Sequence, residues 1–433
     1  MMNRKILRLA LPNILSNISV PLISSVDTAL MGHLSAAHLA ALGIGGMLFM
    51  FLYSSFGFLR MGTTGMVAQA YGAGEGRSLS ATLYRALLLA VLLALPMLLF
   101  EGPIFELAAW AMNVEPAYRD LAREYFSIRI LTAPAVMILY VTTGFFFGMQ
   151  NARYPLYVTL LVNGLNVLAS ILFVRVAGWG IAGVAWGTVL AQYAGVATAL
   201  LLVLRYRRLL HRIGARALAD WEALQRFFHV NRNIFLRTLA LTFSLAFFYA
   251  EAAKGGETTL SVMILMLQFV IWMSFAIDGF ANAAESLVGR YFGAGDRPNF
   301  ERAVELSLGW GAGLALIFSA FYWGFGEQIL HLYTDQPLVL QRAMGLLPLA
   351  SLLPLLAFPA FIYDGIFVGM TAVRAMRDAV LTATALYLAG TWVLQVFFPG
   401  ERALWIAFMS FFFFRGVLQW WMFRRWGWAL GSR

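Results

Sequence analysis

One aspartate stands inside the first long apolar segment of the chain. Neither a lysine nor an arginine lies within two helical turns of Asp27. An ionisable side chain inside a membrane segment is costly and marks a functional site by default. Because an apolar cavity disfavours a charged carboxylate, Asp27 suits a group that binds and releases a proton. The other interpretation is a solvated helix end close to the outer loop.

A seam of neutral polar residues accompanies this aspartate. Asn163, Asn166 and Ser170 lie in the fifth apolar segment, and Thr188 lies in the sixth. Asn166 and Ser170 are four residues apart and share one helix face. The seam is either interhelical hydrogen bonding or, together with Asp27, a site for protons and substrate.

Further charges lie in other apolar segments. Arg60 is in the second segment, Asp278 and Glu285 are seven residues apart in the eighth, and Asp364 is in the tenth. A pair of Arg60 with Asp278 or Asp364 would neutralise both buried charges. We predict that these four residues form a gate or a second cation site, with purely structural neutralisation as the alternative. Arg415 is satisfied by snorkelling or by one carboxylate.

Two prolines interrupt the first segment, and we predict that Pro12 and Pro21 form a hinge there. The sequence shows no histidine cluster, no serine–histidine–aspartate arrangement and no cysteine. We therefore predict that the protein is not an enzyme and that it needs neither a metal ion nor an organic cofactor.

Composition indicates an integral membrane protein. Of 433 residues, 61% are hydrophobic and 12% are charged, with a mean hydropathy of +0.76. Soluble domains carry about 25% charged residues. Continuously apolar runs of about 20 residues favour helices over a barrel. The predicted membrane helices are 6–31, 39–70, 82–100, 121–149, 155–175, 180–204, 226–253, 258–290, 301–323, 340–370, 378–397 and 403–423.

The loops carry a strong charge asymmetry. With the N-terminus inside, most loop arginines are cytoplasmic and most loop carboxylates are outside. The net charge of +10 therefore follows from topology and does not indicate a nucleic-acid partner. We predict a monomer in the plasma membrane, the inner membrane of a bacterium, with both termini cytoplasmic and membrane lipids as its surroundings.

The chain also repeats itself. Residues 67–75 resemble 288–296, and residues 146–149 resemble 367–370, both at an offset of 221. This predicts two equivalent six-helix bundles, 1–204 and 226–423, joined by a cytoplasmic linker (205–225) and followed by a tail (424–433). The intramembrane charges are not duplicated, because Asp27 corresponds to Phe248 and Arg60 to Ala281.

These motifs resemble the DinF branch of the multidrug and toxic compound extrusion (MATE) family. The resemblance rests on residues 26–33, 59–65, 68–74, 275–281 and 364–370 and covers nearly the whole chain. It implies an antiporter that exports amphipathic, often cationic compounds in exchange for H⁺ or Na⁺. The family pattern of asparagine followed by aspartate four residues on is Asn166 and Ser170 here. Losing that second carboxylate favours H⁺ over Na⁺ as the coupling ion.

We therefore predict proton-coupled multidrug efflux by alternating access, with Asp27 binding proton and substrate in turn. The alternative from the same superfamily is a lipid-linked saccharide flippase. Such a protein needs a cationic cavity for a pyrophosphate group, and the intramembrane acids outnumber the arginines that we expect in the cavity.

Overall fold

The described chain is built from α-helices. The computed structural model describes the backbone of residues 1–218, 220–398 and 400–432, and the side chains of these residues except 20–25, 215, 217 and 430–432. Its helices are α1 (Met2–Gly32), α2 (Ala36–Ser54), α3 (Phe58–Ala73), α4 (Gly76–Leu99), α5 (Glu101–Ala111), α6 (Pro116–Arg129), α7 (Ala133–Gly148), α8 (Arg153–Ile171), α9 (Gly180–Val203), α10 (Ala215–Leu218), α11 (Trp221–Lys254), α12 (Glu257–Gly293), α13 (Arg297–Tyr333), α14 (Pro337–Met344), α15 (Leu347–Gly369), α16 (Val373–Phe397) and α17 (Glu401–Trp426).

Their lengths and hydropathy fit a membrane. Among fully described segments, eleven are long and apolar enough to span it. Helix α1 has 31 residues, roughly 45 Å at 1.5 Å per residue, and would also cross a bilayer core of about 30 Å. The prediction of an all-α membrane protein with about twelve spanning helices is therefore confirmed.

Three predicted spans are divided in the structure. The span 39–70 is broken between α2 and α3, where Ser54 Oγ and Ser55 Oγ both donate to the Phe51 carbonyl. Side-chain bonds of this kind compete with the helical backbone bonds and bend helices. The spans 121–149 and 340–370 are broken before α7 and α15, each of which begins with a proline in its first turn, where the ring excludes continuation of the preceding helix.

The chain divides into two compact units. One contains residues 1–14 and 228–433, and the other contains residues 15–227. The first residues of α1 thus pack with α12 and α13, whereas the domain prediction placed them in the N-terminal bundle. Lys5 Nζ donates to the Tyr291 hydroxyl (2.9 Å), and Trp310 Nε1 donates to Asn3 Oδ1 (3.2 Å).

The two units repeat the same backbone details. Gln150 and Thr371 are separated by 221 positions and have φ of 59° and 54°. Both are non-glycine residues in the left-handed region, which such residues rarely adopt. Gly74 and Gly295 occupy equivalent helix ends with φ of 71° and 70°. The repeat seen in the sequence therefore reflects a duplicated helical framework.

Equivalent glycines bring equivalent helices into close contact. A Cβ at Gly144 of α7 would overlap the carbonyl oxygen of Arg60 in α3, and a Cβ at Gly365 of α15 would overlap that of Ala281 in α12. In lipid, helices associate through close packing, so small residues at crossings matter.

We expect Gly365→Ala to destabilise the protein by about 1–3 kcal/mol, because the added methyl group meets backbone that cannot move aside. The matched control is Gly313→Ala in α13, where a Cβ meets no atom of the described residues within 4 Å. Thermal unfolding in detergent measures both variants. Equal melting temperatures for the two variants would contradict this account of the crossing.

Candidate functional site

A cavity of about 610 Å³ lies inside the unit formed by residues 15–227. Residues of α1, α2, α3, α6, α7, α8 and α9 surround it. Its volume falls in the range of about 300–1,000 Å³ that is usual for small-molecule sites. Its polar lining residues are Asp27, Thr28, Tyr53, Arg60, Tyr125, Arg129, Thr132, Tyr140, Thr143, Thr159, Asn163, Asn166, Thr188 and Gln192.

The structure brings four of the five residues of the predicted proton and substrate site to this cavity. Asp27, Asn163, Asn166 and Thr188 line it. Asn166 Nδ2 donates to Thr188 Oγ1 (2.9 Å), which joins α8 to α9. Asn163 Nδ2 donates to Ser19 Oγ of α1 (2.8 Å). The polar seam of α8 therefore contacts both neighbouring helices and also faces the cavity.

The fifth residue, Ser170, lies beside the Asp27 carboxylate. Nevertheless Ser170 Oγ, Asp27 Oδ1 and Asn166 Oδ1 are all buried without a hydrogen-bond partner among the described side chains, which exclude residues 20–25 of α1. Gly187 of α9 leaves room for the serine, since a Cβ there would lie 2.9 Å from Ser170 Oγ. Buried polar atoms are normally satisfied. The Ser170 hydroxyl can donate to one of these oxygens, and a proton on Asp27 would supply a second donor.

The wall of the cavity includes a positively charged side chain, Arg129, that the sequence analysis did not identify. Arg129, at the end of α6, lines the cavity and acts electrostatically on Asp27. The residue lies inside the predicted span 121–149, and that position was the available signal. With Arg60 also on the wall, the described lining carries two arginines and one acid. The comparison of intramembrane acids with expected cavity arginines did not include Arg129.

The predicted gate residues fall in different units. Arg60 lines the cavity, with its guanidinium 5.9 Å from the centre of the Phe147 ring and close to Tyr140. Glu285 is buried in α12. Pairing of Arg60 with Asp278 or Asp364 would join the two units and stays a prediction.

Asp364 has partners of its own inside the unit formed by residues 1–14 and 228–433. Arg415 Nη2 of α17 donates to Asp364 Oδ2 (2.9 Å), and Gln419 Nε2 donates to Asp364 Oδ1 (2.6 Å). Arg237 of α11 donates to Oδ2 as well. Asp278 also acts electrostatically on Arg415. Arg415 is therefore satisfied by a carboxylate and does not snorkel, and both oxygens of Asp364 are occupied.

The remaining predicted residues are less defined. Pro12 lies within α1, whereas Pro21 lies outside the described side chains, so the hinge stays a prediction. Among the described residues, no group of three or more histidine and acidic side chains is placed to hold a metal ion.

Comparison with known proteins agrees with this architecture. The MatE family model matches residues 12–172 and 234–393, one range in each half of the chain. The chain is 33% identical over 411 residues to DNA damage-inducible protein F of Escherichia coli (strain K12), covering 94% of this chain and 89% of that protein. It is 26% identical over 351 residues to the probable multidrug resistance protein NorM of Geobacillus kaustophilus (strain HTA426), covering 78% and 75%.

Solved structures support the fold independently. The crystal structure of a MATE protein in the bent conformation superposes with a TM-score of 0.90, covering 98% of this chain and 95% of that one. The two share 19% sequence identity, so this likeness shows the fold alone.

Proposed function

Because the chain belongs to the MatE family, whose members are membrane transporters and not enzymes, we propose that it exports small amphipathic cations in exchange for protons. The observation that carries the proposal is the cavity of about 610 Å³ with Asp27 as the one acid of its described lining. Proton and cation then compete for one carboxylate, which couples their movements without a second site. The name of the NorM relative, a probable multidrug resistance protein, supports drug-like substrates.

The cycle we propose is alternating access. On the outside, protonation of Asp27 removes the negative charge and releases the bound cation. On the inside, loss of the proton restores the charge and favours another substrate. A one-for-one exchange of a proton for a monovalent cation moves no net charge, so the pH difference drives it, and one pH unit supplies roughly 1.4 kcal/mol, about tenfold in concentration. The protein would act as a monomer among lipids of the bacterial inner membrane, with both termini cytoplasmic.

The side-chain oxygen atoms available at this site favour protons over sodium as the coupling ion. A hard cation prefers several oxygen ligands, including carboxylates. Here Ser170, Asn166 and Thr188 offer neutral oxygens, and Asp27 supplies the single negative charge. A proton needs only the carboxylate and one neighbouring acceptor.

Proteoliposomes with imposed gradients test the coupling ion. We expect transport of a cationic dye such as ethidium when an H⁺ gradient is imposed, and no transport above protein-free liposomes with an equal Na⁺ gradient. Each gradient is applied alone, with the membrane potential clamped to zero. Dye movement driven by Na⁺ and not by H⁺ would contradict proton coupling while leaving the transporter assignment intact.

A further inference from the structure

The cavity inside residues 15–227 carries charges of both signs on its wall. Asp27 and Arg129 both line it, and the guanidinium acts electrostatically on the carboxylate. In the part of the chain that the structure describes, the two side chains do not form a direct ion pair. A ligand in this space can therefore meet a negative group and a positive group at different points.

The described partners of the Arg129 guanidinium are aromatic side chains and not a carboxylate. Its guanidinium lies 4.9 Å from the centre of the Phe49 ring and 5.3 Å from that of Tyr125. It also donates to the Tyr125 hydroxyl, while its Nε is buried without a hydrogen-bond partner in the described part of the chain. Cation–π contacts offset only part of the cost of burying a cation. Arg129 therefore keeps the capacity to bind an anion, and guanidinium is well suited to carboxylates.

The surrounding helices fix the position of this arginine. Thr132 Oγ1 donates to the Arg129 carbonyl oxygen (2.7 Å) and lies 2.8 Å from the Tyr53 hydroxyl. Gly45 of α2 makes room for the Tyr125 ring, because a Cβ at this glycine would overlap it. A preorganised donor loses little freedom when a ligand binds, which favours recognition.

We propose that Arg129 is a specificity-determining residue that makes the cavity prefer amphipathic cations which also carry an anionic group. A plain cation bound to Asp27 neutralises the carboxylate and leaves the Arg129 guanidinium without a counter-charge. An anionic group on the same molecule restores the balance. Arg60 adds positive charge to the same wall, but the proposal does not depend on what Arg60 pairs with. The inference rests on the proposed function, since it takes this cavity as the substrate site.

A matched pair of dyes tests the preference. Rhodamine B carries a carboxylate and a delocalised cation, whereas its ethyl ester carries the cation alone. We expect purified protein to bind rhodamine B about tenfold more tightly than the ester, since a charge-assisted hydrogen bond is worth enough for such a ratio. Equilibrium dialysis in detergent measures both dissociation constants independently of optical changes in the dyes.

Variants then assign the preference to one side chain. Arg129→Gln should abolish the tenfold difference between the two dissociation constants without weakening binding of the ester. Arg129→Lys should retain part of that difference. Arg123→Gln is the control on the same helix, since Arg123 pairs with Glu106 and is half exposed; this variant should keep the full ratio. A ratio unchanged in Arg129→Gln, or absent from the wild type, overturns the inference. If Arg129→Gln does not fold, an Arg129→Lys ratio equal to that of the wild type overturns the dependence on guanidinium geometry.

One further arm separates drug-like molecules from lipid. Phosphatidylethanolamine also carries both charges, so it is added to the micelles as a competitor. Displacement of rhodamine B by this lipid, and not by a neutral diacylglycerol, supports recognition of both charges with a headgroup as the source. If the lipid does not displace rhodamine B, the result supports recognition of both charges on small molecules and not on a lipid headgroup. Binding of neither dye by the wild type counts against the proposed function as well, whereas equal binding of both dyes overturns this inference alone.

Discussion

Replacing Asp27 by asparagine is expected to stop dye transport driven by a pH gradient, down to the level of protein-free liposomes. The amide has the size of the carboxylic acid but neither binds a proton nor attracts a cation. In the wild type, affinity for a cationic dye should fall as pH falls, because the proton competes for the same carboxylate. In Asp27→Asn the dye should bind weakly and independently of pH.

Two measurements check this expectation. Proteoliposomes with an imposed pH gradient report transport, and dye binding to purified protein across a pH series reports the competition. Asp335→Asn is the matched control, because Asp335 is exposed outside the spanning helices and its loss should change neither result. Full-rate transport by Asp27→Asn would remove Asp27 from the coupling step, whatever the dye affinity.

The sequence was sufficient to predict the framework and one face of the site. The offset of 221 appears again in the paired residues Gln150 and Thr371 and in the glycine crossings, since duplicated sequence encodes duplicated packing. The spacing of Asn166 and Ser170 placed these two side chains on one face of α8, and Asn163 and Asn166 line the cavity. Periodicity is local, so it identifies which residues share a face.

Partners distant in the chain could not be predicted in this way. Asp364 lies 51 residues from Arg415 and 127 from Arg237, and only helix packing brings them together. Arg129 comes near enough to act electrostatically on Asp27 for the same reason, because α6 packs against α2 at Phe49 and Tyr125. Periodicity shows which face an arginine occupies but not which carboxylate lies opposite.

The cluster around Asp364 leads to the largest expected effect on stability. In Asp364→Asn, the buried guanidinium group of Arg415 and the largely buried one of Arg237 lose the carboxylate that accepts from both in the wild type. Removing one partner of a buried ion pair costs about 3–5 kcal/mol, because the remaining charge stays desolvated. We therefore expect a clear fall in the Tm of Asp364→Asn, measured by thermal unfolding in detergent.

The control is Arg297→Gln, which breaks an exposed pair with Glu301 and should cost at most about 1 kcal/mol. Gln419→Leu removes one neutral donor to Asp364. Its loss of stability should lie between those of Asp364→Asn and Arg297→Gln. The same variants also discriminate between the two interpretations of the predicted gate. If Asp364→Asn keeps the wild-type Tm but loses dye transport, Asp364 acts in gating or cation binding. If both the Tm and transport fall together, and Arg297→Gln changes neither, the cluster holds together the helices of its own unit.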